Sequence, residues 1–224
     1  MSKRIPIEID EWYHCYNRGI EKRDVFGNEF DANRFLMLLY VANSKHSVDL
    51  YSRRKLELRD ILATNRGSPI VSIGAYCLMP NHFHVLVKEI TSGGISTFMH
   101  RVGTGYTMYF NAKHERVGNL FLKPFRSRHV GTDRYFQHVL QYIHCNPAEL
   151  YEPRWKEGSV RDIRTLGTKL TEYPYSSLAA YIGRRKSDPI LSQDGYNTAQ
   201  HPSVSRMLTE ARSYYSEIAT EKFE

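Results

Sequence analysis

Met79-Pro80-Asn81-His82-Phe83-His84-Val85-Leu86-Val87-Lys88-Glu89, entered from the apolar run Ile70 to Leu78, is the stretch that decides how this chain folds. The Pro-Asn pair punctuates two runs rich in β-branched and apolar residues, so the segment reads as two antiparallel strands joined at Pro80-Asn81. Along the second strand successive side chains alternate faces. His82 and His84 therefore stand side by side on one face while Phe83 points to the other. Two neighbouring imidazoles on a sheet face are either a pair of metal ligands or half-buried sheet histidines, and the strand alone leaves both readings open.

A second stretch, Asp133-Arg134-Tyr135-Phe136-Gln137-His138-Val139-Leu140-Gln141-Tyr142-Ile143-His144-Cys145-Asn146-Pro147, reads as a helix. Thr132 or Asp133 can cap its start, and Pro147 is expected to stop it. Phe136, Val139, Leu140 and Ile143 recur at helical spacing and form the apolar stripe. At about 100° per residue, Tyr142 and Asn146 lie one turn apart on a strip beside that stripe, with His138 a turn earlier and Tyr135 nearly on the same line. A tyrosine placed there either packs with its hydroxyl in water or reaches into a site on the sheet that the helix covers.

A His-Phe-His strand entered by Met-Pro-Asn, followed by a helix ending Tyr-Ile-His-Cys-Asn-Pro, resembles the single-tyrosine HUH transposases, and within them the REP-associated tyrosine transposase group. The resemblance runs from about Trp12 to Pro147, with an echo at Tyr173-Pro174-Tyr175-Ser176-Ser177. It implies an α+β fold: a ferredoxin-like antiparallel sheet with helices packed on one side of it, here followed by a C-terminal helical extension. It also implies that His82 and His84 are the metal-binding pair, that Tyr142 is the nucleophile, and that the cofactor is a divalent metal, Mg²⁺ or Mn²⁺. The third ligand of relatives, often glutamine, falls on Asn146, whose side chain is shorter. On this reading residues 1–150 are the catalytic domain, with a basic insertion near 44–67, and residues 151–224 are an extension packing on it.

The formal charge of +7 favours a polyanionic partner such as nucleic acid. Cys15, Cys77 and Cys145 form no CxxC pair, which argues against a zinc cluster or a disulfide framework and for a reduced, cytoplasmic setting. No apolar signal core or run of spanning length is present, so no membrane partner is expected.

Around these motifs, Trp12 to Asn17 reads as a first strand closed by the Arg18-Gly19 turn. His14 and Tyr16 share a face of it, so either could look onto the site, and cross-strand packing is the preferred reading. Relatives begin with a similar His-x-x-x-Arg-Gly run, but the Gly-Thr-Trp-Phe segment that helps some of them bind a DNA hairpin is missing. Asp31 to Asn43 reads as a helix capped by Asp31 or Asn28, and Tyr51 to Leu62 as a basic helix carrying Arg53, Arg54, Lys55 and Arg59. Ile95 to Lys113 reads as a core helix in which Gly103 and Gly105 mark a kink or a close approach.

Between Asn111 and Val130, basic residues alternate with Leu120, Phe121, Leu122 and Phe125, a pattern that suits either a single-stranded nucleic acid or a surface strand with its aromatics turned inward. Arg18, Lys123, Arg126 and Arg128 are the candidate DNA contacts. Ala148 to Lys169 reads as a charged loop, Ser176 or Ser177 as the cap of a short helix to Ile182, and Val204 to Phe223 as a last helix that could lie over another subunit. The partner implied is single-stranded or hairpin-forming DNA. A homodimer stays open, because the tyrosine helix is exchanged between subunits in some relatives.

The expected activity is metal-dependent cleavage of single-stranded DNA through a 5′-phosphotyrosine, followed by rejoining to a 3′-OH. A non-catalytic nucleic-acid-binding module on the same scaffold is the alternative, with a small-nucleotide phosphodiesterase behind it.

Overall fold

The chain's architecture comes from a computed structural model that describes residues 6–46, 57–199 and 203–218. In chain order the elements are β1 (Trp12–Arg18), α1 (Glu29–Val41), α2 (Leu58–Leu62), β2 (Val71–Met79), β3 (His82–Glu89), α3 (Gly94–Lys113) and β4 (Arg126–Val130). They continue with α4 (Asp133–Cys145), α5 (Ala148–Tyr151), α6 (Ile163–Glu172), α7 (Leu178–Tyr181), α8 (Gln193–Thr198) and α9 (Val204–Ile218). Pro80-Asn81 joins β2 to β3 as a tight hairpin, in agreement with the sequence. The four strands form one antiparallel sheet in the order β2-β3-β1-β4. This is the ferredoxin-like order, with the histidine strand β3 hydrogen-bonded on both sides.

Alternation along the strands gives the sheet two buried faces. Tyr13, Cys15, Phe83, Val85 and Val87 point toward α1 and α3 and close the larger core with Phe35, Phe98 and Tyr106. Each fully buried side chain of this kind contributes about 1.5–3 kcal/mol. α1 starts at Asn28, whose side chain accepts the Asp31 N–H at 3.1 Å. In α3, Gly105 marks a close approach and not a kink: a Cβ there would sit 2.8 Å from Leu38 of α1.

The opposite face is also covered, unlike the one-sided arrangement the resemblance implied. Ala75, Cys77, Met79 and Leu86 meet Phe136, Val139, Leu140 and Ile143 of α4, and Met207, Leu208 and Ala211 of α9 pack on α4 in the same chain. The Tyr173–Ser177 segment returns to the outer edge of β2, where Leu78 N–H donates to Tyr175 at 2.9 Å and Ser177 N–H donates to Tyr76 at 3.0 Å. This pairing covers a strand edge that would otherwise offer free backbone groups.

α4 ends at Cys145, ahead of Pro147 as expected, and Pro147 then leads into the separate short helix α5. Two other readings are decided by the structure. The stretch from Ala148 to Lys169 is largely ordered, holding α5, a 3₁₀ turn at Trp155–Glu157 with Trp155 fully buried, and most of α6. Leu120 and Phe121 are core residues, so they are not a stacking surface for bases. Arg53, Arg54 and Lys55 of the expected basic helix lie outside the described residues. Among those described, no helix is long and apolar enough to cross a membrane.

Candidate active site

The site lies between β3, β1 and α4. Register puts His84 opposite Tyr16 on β1 and Cys77 on β2, and His82 opposite Arg18 and Met79. His14 lies opposite Leu86 and, on its other side, Arg128 of β4. Because strands alternate, His14, Tyr16, His82, His84, Arg126 and Arg128 all belong to the face that α4 covers. α4 is fixed at its start by Thr132, whose side chain accepts the Tyr135 N–H at 3.2 Å.

Hydrogen bonds orient the two histidines of β3. Asn81 donates its Nδ2 to the Lys22 carbonyl at 3.2 Å, which turns its Oδ1 to His82 Nδ1 at 2.7 Å. An amide oxygen only accepts, so His82 carries its proton on Nδ1 and keeps a lone pair on Nε2. The Asn146 side chain reaches the same ring. Its Nδ2 donates to the Tyr142 carbonyl at 2.8 Å. His84 Nδ1 meets His14 Nε2 at 2.9 Å. His84 Nε2 is buried with no hydrogen-bond partner among the described residues.

Burial, reinforced by Arg128, holds His14 down at about 3. Burial and then Arg18 lower His82 to about 4, with Glu149 acting in the opposite sense. His84 is held well below the usual range by burial first, then by His14, His82 and Lys156. All three imidazoles are neutral near pH 7, the form in which a ring nitrogen ligates a cation.

Tyr142 comes from α4 to this cluster within the same chain. Its ring centroid is 5.4 Å from that of His84 and 5.7 Å from that of His14, edge-on to both, and the residue is 6% exposed. His138, on the same strip of α4, lies near Glu210 of α9. Tyr135 lies under the Arg128 guanidinium, 5.5 Å from its ring centroid. His144 turns to Ser177 Oγ at 2.8 Å on the far side. The structure thus brings His82, His84, Tyr142 and Asn146 together, with Tyr135 beside Arg128, His138 near Glu210 and His144 against Ser177.

Among the candidate DNA contacts, Lys123 and Arg126 are exposed, Arg126 on the site face of β4, while Arg18 and Arg128 are half-buried on that face. Sequence reasoning left His14 or Tyr16 open as residues that could look onto the site while preferring cross-strand packing, and it missed two further neighbours. Glu149 and Lys156 form an ion pair at 2.6 Å close enough to the histidines to shift them. Both follow Pro147, in a stretch without periodicity, and only the fold brings them back.

Among the described residues no group of three or more His, Cys, Asp or Glu side chains is arranged to hold a metal ion. The donor set available here is different: two neutral imidazoles and an amide oxygen. The unpartnered His84 Nε2 and the Nε2 lone pair of His82 make that set chemically fit for a divalent cation.

No curated protein sequence matches the chain. A solved structure described as a REP-associated tyrosine transposase bound to a REP hairpin is similar in fold. Its TM-score is 0.52 at 13% identity, over 91% of this chain and 95% of that one. A family model described as "Transposase IS200 like" matches residues 11–146, more than half of the sequence and the part that holds His14, His82, His84, Tyr142 and Asn146. The chain belongs to the IS200-like transposase family.

Proposed function

We propose that this transposase-family chain is a metal-dependent endonuclease and strand transferase acting on single-stranded DNA, including strands that form hairpins. The observation that carries the reading is the Tyr142 ring lying 5.4 Å from His84, whose Nε2 is buried and unpartnered among the described residues. In the proposed reaction the Tyr142 phenolic oxygen forms a bond to the scissile phosphorus and loses its proton to solvent. The bond to the 3′ oxygen breaks, and that oxygen takes up a proton. The products are a 5′-phosphotyrosine and a free 3′-OH, and attack by another 3′-OH reverses the step and joins strands without an external energy source. His82, His84 and Asn146 would hold Mg²⁺ or Mn²⁺, which supplies charge neutralisation at the phosphoryl group and the leaving oxygen. Arg126, exposed on the site face, and the exposed Lys123 are the residues proposed to meet the DNA backbone.

The low exposure of Tyr142 favours one competing reading, a non-catalytic DNA-binding module on the same scaffold. Nicking of labelled single strands, with and without chelator, separates the two. The enzyme reading expects nicks with Mn²⁺ that chelator abolishes. Binding that weakens with salt, ignores chelator and never yields a nick would establish the binding module instead.

A further inference from the structure

We propose that His14 is a positioning residue: its Nε2 accepts the Nδ1–H of His84 and so presents the His84 Nε2 lone pair to the cation. The inference rests on the proposed cation site. A neutral imidazole has one donor and one acceptor nitrogen, so the 2.9 Å contact between His14 Nε2 and His84 Nδ1 holds a single proton. If that proton belonged to His14, His84 would carry its own on Nε2, leaving a buried N–H without an acceptor and closing the nitrogen to a cation. If it belongs to His84, Nε2 is a lone pair available to a cation. Ligating histidines commonly donate their second nitrogen in this way, which fixes both tautomer and ring orientation.

The neighbouring ligand has the same arrangement by other means. Asn81 Oδ1 accepts from His82 Nδ1 at 2.7 Å and leaves Nε2 as the lone pair. Both candidate ligands are thus held as the same tautomer, one from the hairpin turn and one from the adjacent strand. The edge-to-edge arrangement of the His14 and His84 rings, with centroids 5.0 Å apart and planes 30° apart, and the 1% exposure of His14 restrict the pair to one geometry.

The test is calorimetric titration of Mn²⁺ into the full chain, its His14→Gln, His14→Phe and His82→Ala variants. Alongside it, ¹⁵N spectra of the histidine-labelled parent with Mg²⁺ report which His84 nitrogen carries the proton. His14→Phe, with no acceptor, is expected to weaken Mn²⁺ binding by about 10–100-fold, the usual effect of losing such a partner. His14→Gln, whose Oε1 can accept, is expected to stay within a few-fold of the parent. The spectrum should show His84 protonated on Nδ1. If the parent binds Mn²⁺ and His82→Ala loses it, yet His14→Phe binds as tightly as the parent, the role of His14 is overturned while the cation site stands. Should His14→Phe not fold, a His84 proton on Nε2 in the Mg²⁺-bound parent overturns it instead. A parent that binds no Mn²⁺ removes the cation site and the role of His14 together.

Discussion

His14 and His84 are buried in their neutral form, and that has a cost in acid. In the unfolded chain each takes up a proton near pH 6.5, whereas in the folded chain His14 does so only at about 3 and His84 well below the usual range. The unfolded state therefore binds more protons as pH drops below 6.5. Stability falls from there and, for His14, stops falling below about 3. Each such group contributes up to about 1.4 kcal/mol per pH unit in that window. Urea midpoints measured at pH 7.5, 6 and 5 are expected to decline, and His14→Gln, which takes up no proton, is expected to decline less steeply. Periodicity made it legible that His82 and His84 share a strand face and that Tyr142 and Asn146 share a helix strip, while their proposed roles come from the family resemblance. The bond of His14 to His84 was not legible, since it depends on which strands are neighbours, and periodicity within one strand carries no such information.

At the scale of elements, the hairpin, α1, α3 and α4 follow from spacing and capping residues, and their stability should answer to the same local chemistry. Thr132→Ala removes the side-chain acceptor for the Tyr135 N–H and is expected to cost about 1 kcal/mol, read as a lower urea midpoint. Gly195 sets the approach of α8 to β2: a Cβ there would lie 2.5 Å from the Gly74 Cα, with backbone on one side and Trp12 on the other. Gly195→Ala is therefore expected to destabilise by about 1–3 kcal/mol. Beyond Pro147 the short helix α7 after Ser177 and the last helix α9 from Val204 were legible, but α5 and the start of α6 were not, because Ala148 to Asp162 mixes charge with isolated apolar residues and has no helical period. What orders that stretch is tertiary. Trp155 is buried in the second core, and the Lys156–Glu149 pair brings the segment back to the histidines.

At the scale of the molecule, α4 is held between the sheet and α9, so the helix bearing Tyr142 is supported by the C-terminal part of its own chain. Sequence alone could give an amphipathic last helix but not the surface it covers. Loss of α9 removes the burial of Met207 and Leu208, about 1.5–3 kcal/mol each, against a total margin of about 5–15 kcal/mol for a typical domain. A chain ending at Ala199 is expected to unfold at markedly lower urea and to lose any DNA nicking with it. The net charge of +7 and the exposed Lys123 and Arg126 imply binding that weakens with salt. Arg126→Ala should lower the slope of log affinity against log salt by about 1.

The central claim is that Tyr142 becomes covalently attached to the 5′ phosphate of a cleaved strand. The most direct measurement is a denaturing gel of the full chain with Mn²⁺ and single-stranded DNA labelled at one end or the other, comparing the parent with Tyr142→Phe. The account predicts a protein-linked band carrying the DNA on the 3′ side of the nick, present for the parent and absent for the variant, with DNA binding largely retained. An adduct that persists in Tyr142→Phe, or that carries the DNA on the 5′ side of the nick, would contradict it.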